Sequence, residues 1–204
     1  MVFDKTIYIP VMEHFYTIQG EGFYTGHAAY FIRLAGCDVG CVWCDVKESW
    51  TVEESQLMRI DELVQEALKY PGSLIVITGG EPLMYDLSPL TQKLKANGFQ
   101  VNIETSGAYP LSGILDWICV SPKKFKAPLK EVLEKANELK CIIFHKGDFK
   151  FAEQNREPAP RDCRLYLQTE WGKKEQMLPL MIEYVKSHPE WSLSLQTHKY
   201  LDIP

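Results

Sequence analysis

One short loop, residues 36–45, constrains this chain more than any other stretch. It holds Cys37, Cys41 and Cys44 at a C-x3-C-x2-C spacing, directly after the apolar, strand-like run 28–34. Thiolates this close in sequence can converge on one metal centre. An ordinary electron-transfer [4Fe-4S] site or a structural zinc site uses four protein ligands. Three cysteines therefore indicate an iron–sulfur cluster with one iron left open to a small molecule.

A zinc site is the alternative that the spacing leaves open. Paired cysteines two to four residues apart are typical of zinc knuckles, and His14 or His27 could supply a fourth ligand. A zinc-stabilised binding module would not be an enzyme. Metal analysis separates the two readings, because the cluster contains iron and sulfide.

Composition limits the class of protein. The chain has 204 residues, 46% hydrophobic content and a net charge of -5 without a basic block. These values predict a single domain over residues 1–204 and no nucleic-acid partner. No signal pattern or membrane-length apolar run is present, so we expect a cytoplasmic protein without a membrane partner. Six cysteines, three of them clustered, do not suggest a disulfide framework; Cys119, Cys141 and Cys163 are expected to be simple buried or surface thiols.

The rest of the chain alternates strand-like and helix-like patterns, which favours a parallel β/α architecture. A complete eight-fold barrel needs about 250 residues, so an incomplete, open TIM-like β/α barrel is expected. The segment 147–160 is polar and contains proline, and it is predicted to be a loop. The predicted strands are 28–34, 73–78, 100–103, 117–120, 141–144, 164–167 and 191–195, and the predicted helices are 60–68, 87–94, 129–136 and 177–184.

Polar motifs follow most of these strands. Since the carboxyl ends of parallel strands share one face, the motifs are expected to build one site there. They are the cysteine loop, Thr78-Gly79-Gly80-Glu81-Pro82, Glu104-Thr105-Ser106-Gly107, Ser121-Pro122-Lys123, Gln168-Thr169-Glu170-Trp171 and Gln196-Thr197-His198-Lys199.

Together these motifs resemble those of the radical S-adenosylmethionine (SAM) enzymes. In that superfamily a three-cysteine loop holds the cluster and SAM chelates the open iron. A Gly-Gly-Glu-Pro strand end binds the SAM amino group through backbone acceptors and the Glu side chain. The stretches 15–22, 31–37 and 196–204 are similar to the 7-carboxy-7-deazaguanine synthase family in particular.

The resemblance implies conversion of 6-carboxy-5,6,7,8-tetrahydropterin to 7-carboxy-7-deazaguanine with loss of ammonia, on the route to queuosine. It implies that a 5'-deoxyadenosyl radical formed from SAM abstracts hydrogen from C6 of the pterin. Cys37, Cys41 and Cys44 would hold the cluster, with Glu21 and His198 also catalytic. Residues implied to bind SAM are Gly79, Gly80, Glu81, Ser121, Pro122, Lys123, Gln168, Thr169, Glu170 and Trp171. Those implied to bind the pterin are Ile18, Gln19, Gly20, Glu21, Arg33, Thr78, Glu104, His198 and Pro204.

Elementary chemistry agrees with part of this set. The substrate carries a carboxylate, for which Arg33 offers a planar two-donor fork. Its 2-amino and N3–H edge is rich in donors, for which Gln19, Glu21, Glu104 or the chain-end carboxylate are suitable acceptors. The apolar, proline-stiffened end at Pro204 is expected to dock in the site.

One position departs from the family pattern. Relatives place Thr or Ser two residues after the last cluster cysteine, where its hydroxyl reaches Mg2+, whereas this chain has Val46. The Mg2+ site is therefore left open, with Asp45, the substrate carboxylate and water as the remaining oxygen ligands.

Partners also follow from the resemblance. It implies a reductant such as flavodoxin or ferredoxin, and a homodimer. A small radical SAM activase, which generates a glycyl radical on a partner protein, is the second enzyme reading. Such an activase would not need the pocket formed by Arg33, Glu21 and His198.

Overall fold

The computed structural model describes residues 4–204. Strands and helices alternate along most of it, after an antiparallel start. In chain order the elements are β1 (Tyr8–Ile18), β2 (Ala28–Leu34), β3 (Leu57–Arg59), α1 (Ile60–Ala67), β4 (Leu74–Gly79), α2 (Ser88–Ala96), β5 (Gln100–Thr105), β6 (Trp117–Val120), α3 (Lys130–Leu133), β7 (Glu138–Ile143), α4 (Gly147–Arg156), β8 (Arg164–Thr169), α5 (Lys174–Ser187), β9 (Trp191–Ser194) and α6 (Thr197–Leu201).

The nine strands form one mixed sheet in the order β3-β1-β2-β4-β5-β6-β7-β8-β9. Strand β1 is antiparallel to both β2 and β3, and every pairing from β2 to β9 is parallel. The ends of the sheet, β3 and β9, do not pair with each other, so the barrel is open. The predicted incomplete β/α barrel is confirmed, and the carboxyl ends of seven parallel strands lie at one rim.

Period-two alternation sorts the side chains of the strands between two environments. On β4, Ile75 and Ile77 face outward into the core beneath α1 and α2, while Thr78 faces the concave interior. On β7, Leu139 and Ile143 pack outward in the same way, and Lys140 points inward. The apolar face therefore holds the helices, and the opposite face is free to carry polar chemistry.

Helix α1 shows why strongly periodic segments were predictable. Ile60, Leu63, Val64 and Ala67 recur at helical spacing, and all four are buried against the sheet. Acidic residues occupy its first turn, where they complement the positive end of the helix dipole.

The prediction of a loop over 147–160 is wrong, because residues 147–156 form α4. Its apolar periodicity is weak, since Ala152 is its only fully buried hydrophobic residue. Polar anchoring and aromatic stacking hold it instead. The Asp148 carboxylate accepts hydrogen bonds from the Phe144 and His145 amides (2.8 and 2.7 Å), and Phe149 stacks on Tyr184 of α5 with centroids 4.4 Å apart.

No helix in the described range is both long and apolar enough to cross a bilayer.

Candidate active site

A cavity of about 460 Å³ opens at the rim formed by the strand ends. Nearly all of the residues predicted for the site meet there. Those lining it are Ile18, Gln19, Gly20, Glu21, Arg33, Cys37, Cys41, Cys44, Val46, Thr78, Gly79, Gly80, Glu104, Ser121, Lys123, Gln168, Thr169, Glu170, Trp171, His198 and Pro204. Glu81 and Pro122 are not part of its wall.

Backbone hydrogen bonds join the start of the cysteine loop to the turn that follows it, residues 47–50. The amide of Gly36 donates to Ser49 O (2.6 Å) and that of Cys37 to Trp50 O (3.3 Å). Burial raises the pKa of the Cys37 thiol and raises that of Cys41 to about 11. Both are thus protonated thiols until a metal displaces the proton.

Gly79 and Gly80 place the end of β4 directly against the start of the cysteine loop. Gly79 has φ +142°, and a Cβ there would overlap the Leu34 backbone. A Cβ on Gly80 would overlap the Gly36 carbonyl oxygen and the Cys37 Cβ. The Gly80 amide donates to Leu34 O (3.0 Å). Close packing between two protein segments therefore requires these glycines, in addition to any approach of a ligand.

Glu81 differs from its predicted role, in which its side chain reached the SAM amino group. The side chain is fully buried, and its carboxylate accepts from the Leu83 amide (3.0 Å), the Thr105 hydroxyl (2.5 Å) and the Ser106 amide (2.8 Å). It ties the end of β5 to the turn after β4. The structure therefore places its carboxylate inside the protein, away from the cavity.

An ion-pair cluster forms the inner wall of the cavity. The Lys140 ammonium lies 2.5 Å from Glu21 Oε2 and 3.2 Å from Glu104 Oε2. The Gln19 amide donates to Glu104 Oε1 (2.9 Å), and the Gln196 amide donates to Glu21 Oε1 (3.0 Å). Burial opposes ionisation of Glu21, but the charge and hydrogen bond of Lys140 outweigh it and lower the pKa to about 2.

Lys140 was missed as a candidate site residue, whereas Gln196 belongs to the predicted motif 196–199 but had no assigned role. Lys140 does not follow a strand end; it lies in the middle of β7, among hydrophobic residues. The usable signal was a charged residue at an inward position of a strand that is otherwise apolar.

Arg33 lines the cavity from β2 and is 22% exposed. Its Nε donates to Glu13 Oε1 at 2.6 Å. Within the described residues its two terminal amino groups make no hydrogen bond or ion pair with a side chain. The arginine is therefore both anchored by Glu13 and able to present two donors to a carboxylate.

Val46 lies two residues after the last cluster cysteine and has no side-chain oxygen. The nearest hydroxyl in that turn, Ser49 Oγ, is buried and donates to the Val46 carbonyl at 2.7 Å. Asp45 lines the cavity and lies 3.3 Å from the Lys199 ammonium. Asp45 is therefore the available carboxylate for a hydrated Mg2+ ion in this turn.

The ends of β6 and β8 contribute the remaining polar wall. Lys123 folds back so that its ammonium donates to both the carbonyl and the hydroxyl of Ser121 (2.7 and 2.6 Å). Burial lowers the pKa of Lys123. The Glu170 carboxylate caps the turn after β8 by accepting from the Gly172 amide (3.0 Å), and the Trp171 ring follows it.

The segment after β9 closes the cavity. Thr197 donates to Gly20 O through its amide (2.9 Å) and its hydroxyl (3.0 Å), which brings His198 onto the 19–21 turn. Burial lowers the pKa of His198 against the opposing charge of Glu21, so its imidazole is neutral near pH 7. Asp202, in the left-handed region at φ 54°, ends α6 and returns the chain so that Pro204 reaches the cavity.

Comparison with known proteins agrees with this geometry. Residues 31–145 match the Radical SAM superfamily, and this span covers the cysteine loop and the Gly-Gly-Glu-Pro turn. The 7-carboxy-7-deazaguanine synthase of Flavobacterium psychrophilum is 56% identical over 201 residues, which cover 98% of this chain and 95% of the relative. The chain belongs to the 7-carboxy-7-deazaguanine synthase family.

Other relatives of the 7-carboxy-7-deazaguanine synthase family are more distant. The enzyme of Synechocystis is 48% identical over 97% of this chain and 95% of its own length. The enzyme of Escherichia coli K12 is 35% identical over 95% of this chain and 98% of its own length. The crystal structure of QueE from Escherichia coli aligns with a TM-score of 0.82 at 33% identity, covering 92% of this chain and 93% of that one. The activase reading is not favoured by these matches.

The cofactors of a radical SAM 7-carboxy-7-deazaguanine synthase, a [4Fe-4S] cluster and SAM, fit the residues present. Within residues 4–204, no three His, Cys, Asp or Glu side chains lie close enough to bind one metal ion. A cluster does not require this, because each thiolate binds a different iron. The cysteines adjoin a cavity with polar strand ends for SAM, so this chemistry fits better than a single zinc ion.

Proposed function

We propose that this chain converts 6-carboxy-5,6,7,8-tetrahydropterin to 7-carboxy-7-deazaguanine with release of ammonia, as a radical SAM lyase of queuosine biosynthesis. The observation that supports this best is the joining of two kinds of chemistry in one cavity. The three cysteines line the same cavity as Arg33 and the carboxylates of Glu21 and Glu104. An activase acting on a protein partner has no use for the second group.

Cys37, Cys41 and Cys44 would hold the cluster, which when reduced supplies the electron that cleaves SAM. The protein's own residues would bind and orient SAM and the pterin. The SAM-facing surface would be formed by Gly79, Gly80, Ser121, Lys123, Gln168, Thr169, Glu170 and Trp171, which line the cavity. Glu81 and Pro122 would act by shaping the turns next to them.

For the pterin, Arg33 would pair with the carboxylate, while Gln19, Glu21 and Glu104 accept hydrogen bonds from the donor-rich edge. Ile18, Gly20, Thr78 and Pro204 would complete the wall. His198, which is neutral near pH 7, can take up a proton beside Glu21. Mg2+, where it takes part, would be held by the substrate carboxylate, water and Asp45 rather than by residue 46.

The direct test is anaerobic reconstitution with iron and sulfide, followed by incubation with SAM, a chemical reductant and the carboxy-tetrahydropterin. Mass spectrometry should detect 7-carboxy-7-deazaguanine and ammonia in amounts exceeding the enzyme. SAM cleavage without this product would contradict the proposed function.

We further propose that residues 1–204 act as one radical SAM domain in the cytoplasm, as a homodimer reduced by flavodoxin or ferredoxin. The three buried hydrophobic clusters of the described residues lie on one continuous sheet, which supports the single domain. Light scattering would give the oligomeric state, and SAM cleavage driven by each purified electron carrier would identify the reductant.

A further inference from the structure

Lys140 is a buried lysine that the family resemblance assigned no role. It is 2% exposed, and its position on the inner face of β7 places its ammonium in the cavity wall. Burying an unpaired ammonium costs several kcal/mol, so such a group persists only with close partners. Two carboxylates, Glu21 and Glu104, provide them.

Each of these carboxylates is held at both oxygens. Glu21 uses Oε2 for Lys140 and Oε1 for Gln196, whereas Glu104 uses Oε2 for Lys140 and Oε1 for Gln19. Every carboxylate oxygen has two acceptor positions, so each keeps capacity for another donor. Both side chains stay partly accessible, at 16% and 24%. The result is a rigid wall of acceptors facing the cavity.

The charges around this wall are mixed. Glu104 on β5, Cys119 on β6 and Glu138 on β7 all face Lys140, and His198 faces Glu21. Burial opposes the charge of Lys140, but Glu104 and Glu21 outweigh it and raise its pKa well above the ordinary value. Burial raises the pKa of Glu138, which pairs with the Trp117 indole and the Phe23 amide rather than with Lys140.

We propose that Lys140 is a positioning residue that determines ligand specificity: its ammonium fixes Glu21 and Glu104 as a pair of charged acceptors, which selects a bicyclic ring whose edge carries N–H donors. The inference rests on the proposed function, since it assigns the pterin edge to this wall. A pterin presents a 2-amino group and N3–H there. A lumazine, which has an oxygen in place of the 2-amino group, directs lone pairs at a carboxylate.

Without the ammonium, two partly buried carboxylates would face each other. One of them would take up a proton, because like charges so close cannot both stay ionised. A protonated carboxyl is a donor, and it can bond the lumazine oxygen. The charge of Lys140 therefore decides which edge the site accepts.

The test measures anaerobic binding of 6-carboxypterin and 6-carboxylumazine to cluster-loaded, SAM-bound protein, by quenching of ligand fluorescence. For the wild type we expect a preference for the pterin of about 10- to 100-fold, the usual worth of one hydrogen bond to a charged group. Lys140→Met should lower that preference to within about threefold. Lys140→Arg should retain most of it. Lys95→Met, which removes a surface partner of Asp116, is the matched control and should leave the preference unchanged.

The pH dependence of affinity for 6-carboxypterin distinguishes a positioning role of Lys140 from a general structural effect. Wild-type affinity for 6-carboxypterin should stay nearly constant from pH 5.5 to 7. In Lys140→Met it should fall toward pH 5.5, because burial then raises the pKa of Glu21 without an opposing charge. Equal wild-type affinity for both ligands, or an unchanged preference in Lys140→Met, would overturn the proposal. If Lys140→Met fails to fold, equal wild-type affinity for both ligands, or loss of the preference in Lys140→Arg, would still overturn the proposal. Selective pterin binding without turnover would refute the proposed reaction but not the role of Lys140.

Discussion

The six cysteines of this chain fall into two groups according to their surroundings. Cys37, Cys41 and Cys44 line the cavity on one loop, whereas Cys119, Cys141 and Cys163 are separate and buried. Burial also raises the pKa of these three thiols, but what excludes them as cluster ligands is their position on separate segments that do not line the cavity. Only the first group can serve as cluster ligands.

We therefore expect Cys41→Ala to abolish cluster assembly and Cys163→Ala to leave it intact. Iron and sulfide analysis after anaerobic reconstitution should give about four of each in the wild type and in Cys163→Ala. Circular dichroism would confirm that both variants are folded. Stoichiometric zinc in place of iron would contradict the assignment.

Arg33 supports a second prediction at the residue scale. Arg33→Ala should weaken 6-carboxypterin binding by roughly 2–5 kcal/mol, because the carboxylate of the ligand loses its partner in a partly desolvated site. SAM affinity should hardly change. Glu13→Gln is the control: it removes the charge that anchors Arg33 but leaves the two terminal amino groups, so its effect should be much smaller. An equal loss of both ligands in Arg33→Ala would indicate a structural role.

Val46 supports a third prediction at the residue scale. If no protein hydroxyl reaches Mg2+ at this position, wild-type turnover should depend weakly on Mg2+, and Val46→Thr should increase that dependence. Activity titrated against Mg2+ after treatment with EDTA would measure this. Asp45→Asn should reduce whatever dependence the wild type has. Strict dependence in the wild type, unaffected by Asp45→Asn, would place the ion elsewhere.

At the scale of elements, the end of β4 packs closely against the cysteine loop at Gly80. Gly80→Ala should push the loop away, because the new Cβ would overlap Gly36 and Cys37. We expect incomplete cluster incorporation in a protein with normal secondary structure. Gly98→Ala is the control: the added Cβ meets no atom within 4 Å, although its positive φ costs about 1 kcal/mol. Equal iron content in both variants would argue against this packing.

The elements themselves were predictable where a periodic apolar pattern was strong. Helix α1 and strand β6 follow their predicted positions closely, because their buried faces are set by local spacing. Helix α4 was not predicted, since its stability comes from the hydrogen bonds that Asp148 accepts from the preceding turn and from the stacking of Phe149 on Tyr184. The stacking joins two segments that the sequence pattern does not relate to each other.

At the scale of the whole molecule, the location of the site followed from parallel topology, which brings the strand-end motifs to one rim. The arrangement of the inner wall of the cavity did not follow from this topology. Lys140 and Glu21 are 119 residues apart, and their pairing depends on the curvature that faces β7 toward the turn after β1. Similarly, Glu81 belongs to a recognised motif, yet its carboxylate is used by Thr105 and Ser106. Motifs indicated where the site lies, but long-range contacts determine what each side chain does.

The ion-pair cluster also predicts how the stability of the whole chain responds to acid, because it connects the turn after β1, strand β5, strand β7 and the segment after β9. Glu21 has a pKa of about 2 in the folded protein against an ordinary value of 4.5. A lowered carboxyl pKa contributes stability that is fully present above about pH 4.5 and is lost as pH falls toward 2.

In Lys140→Met the ionisation of Glu21 has the opposite effect on the stability of the fold. Burial then raises the pKa of Glu21, so its ionisation destabilises the fold as pH rises above about 4.5. We expect the urea midpoints of the wild type and Lys140→Met, measured without ligands, to differ most near pH 7 and to converge toward pH 3. Lys95→Met, which removes a partly exposed ion pair, should differ from the wild type by a small amount at neutral pH. A gap between the wild type and Lys140→Met that stays constant from pH 7 to 3 would mean that the lysine stabilises the barrel by packing rather than by charge.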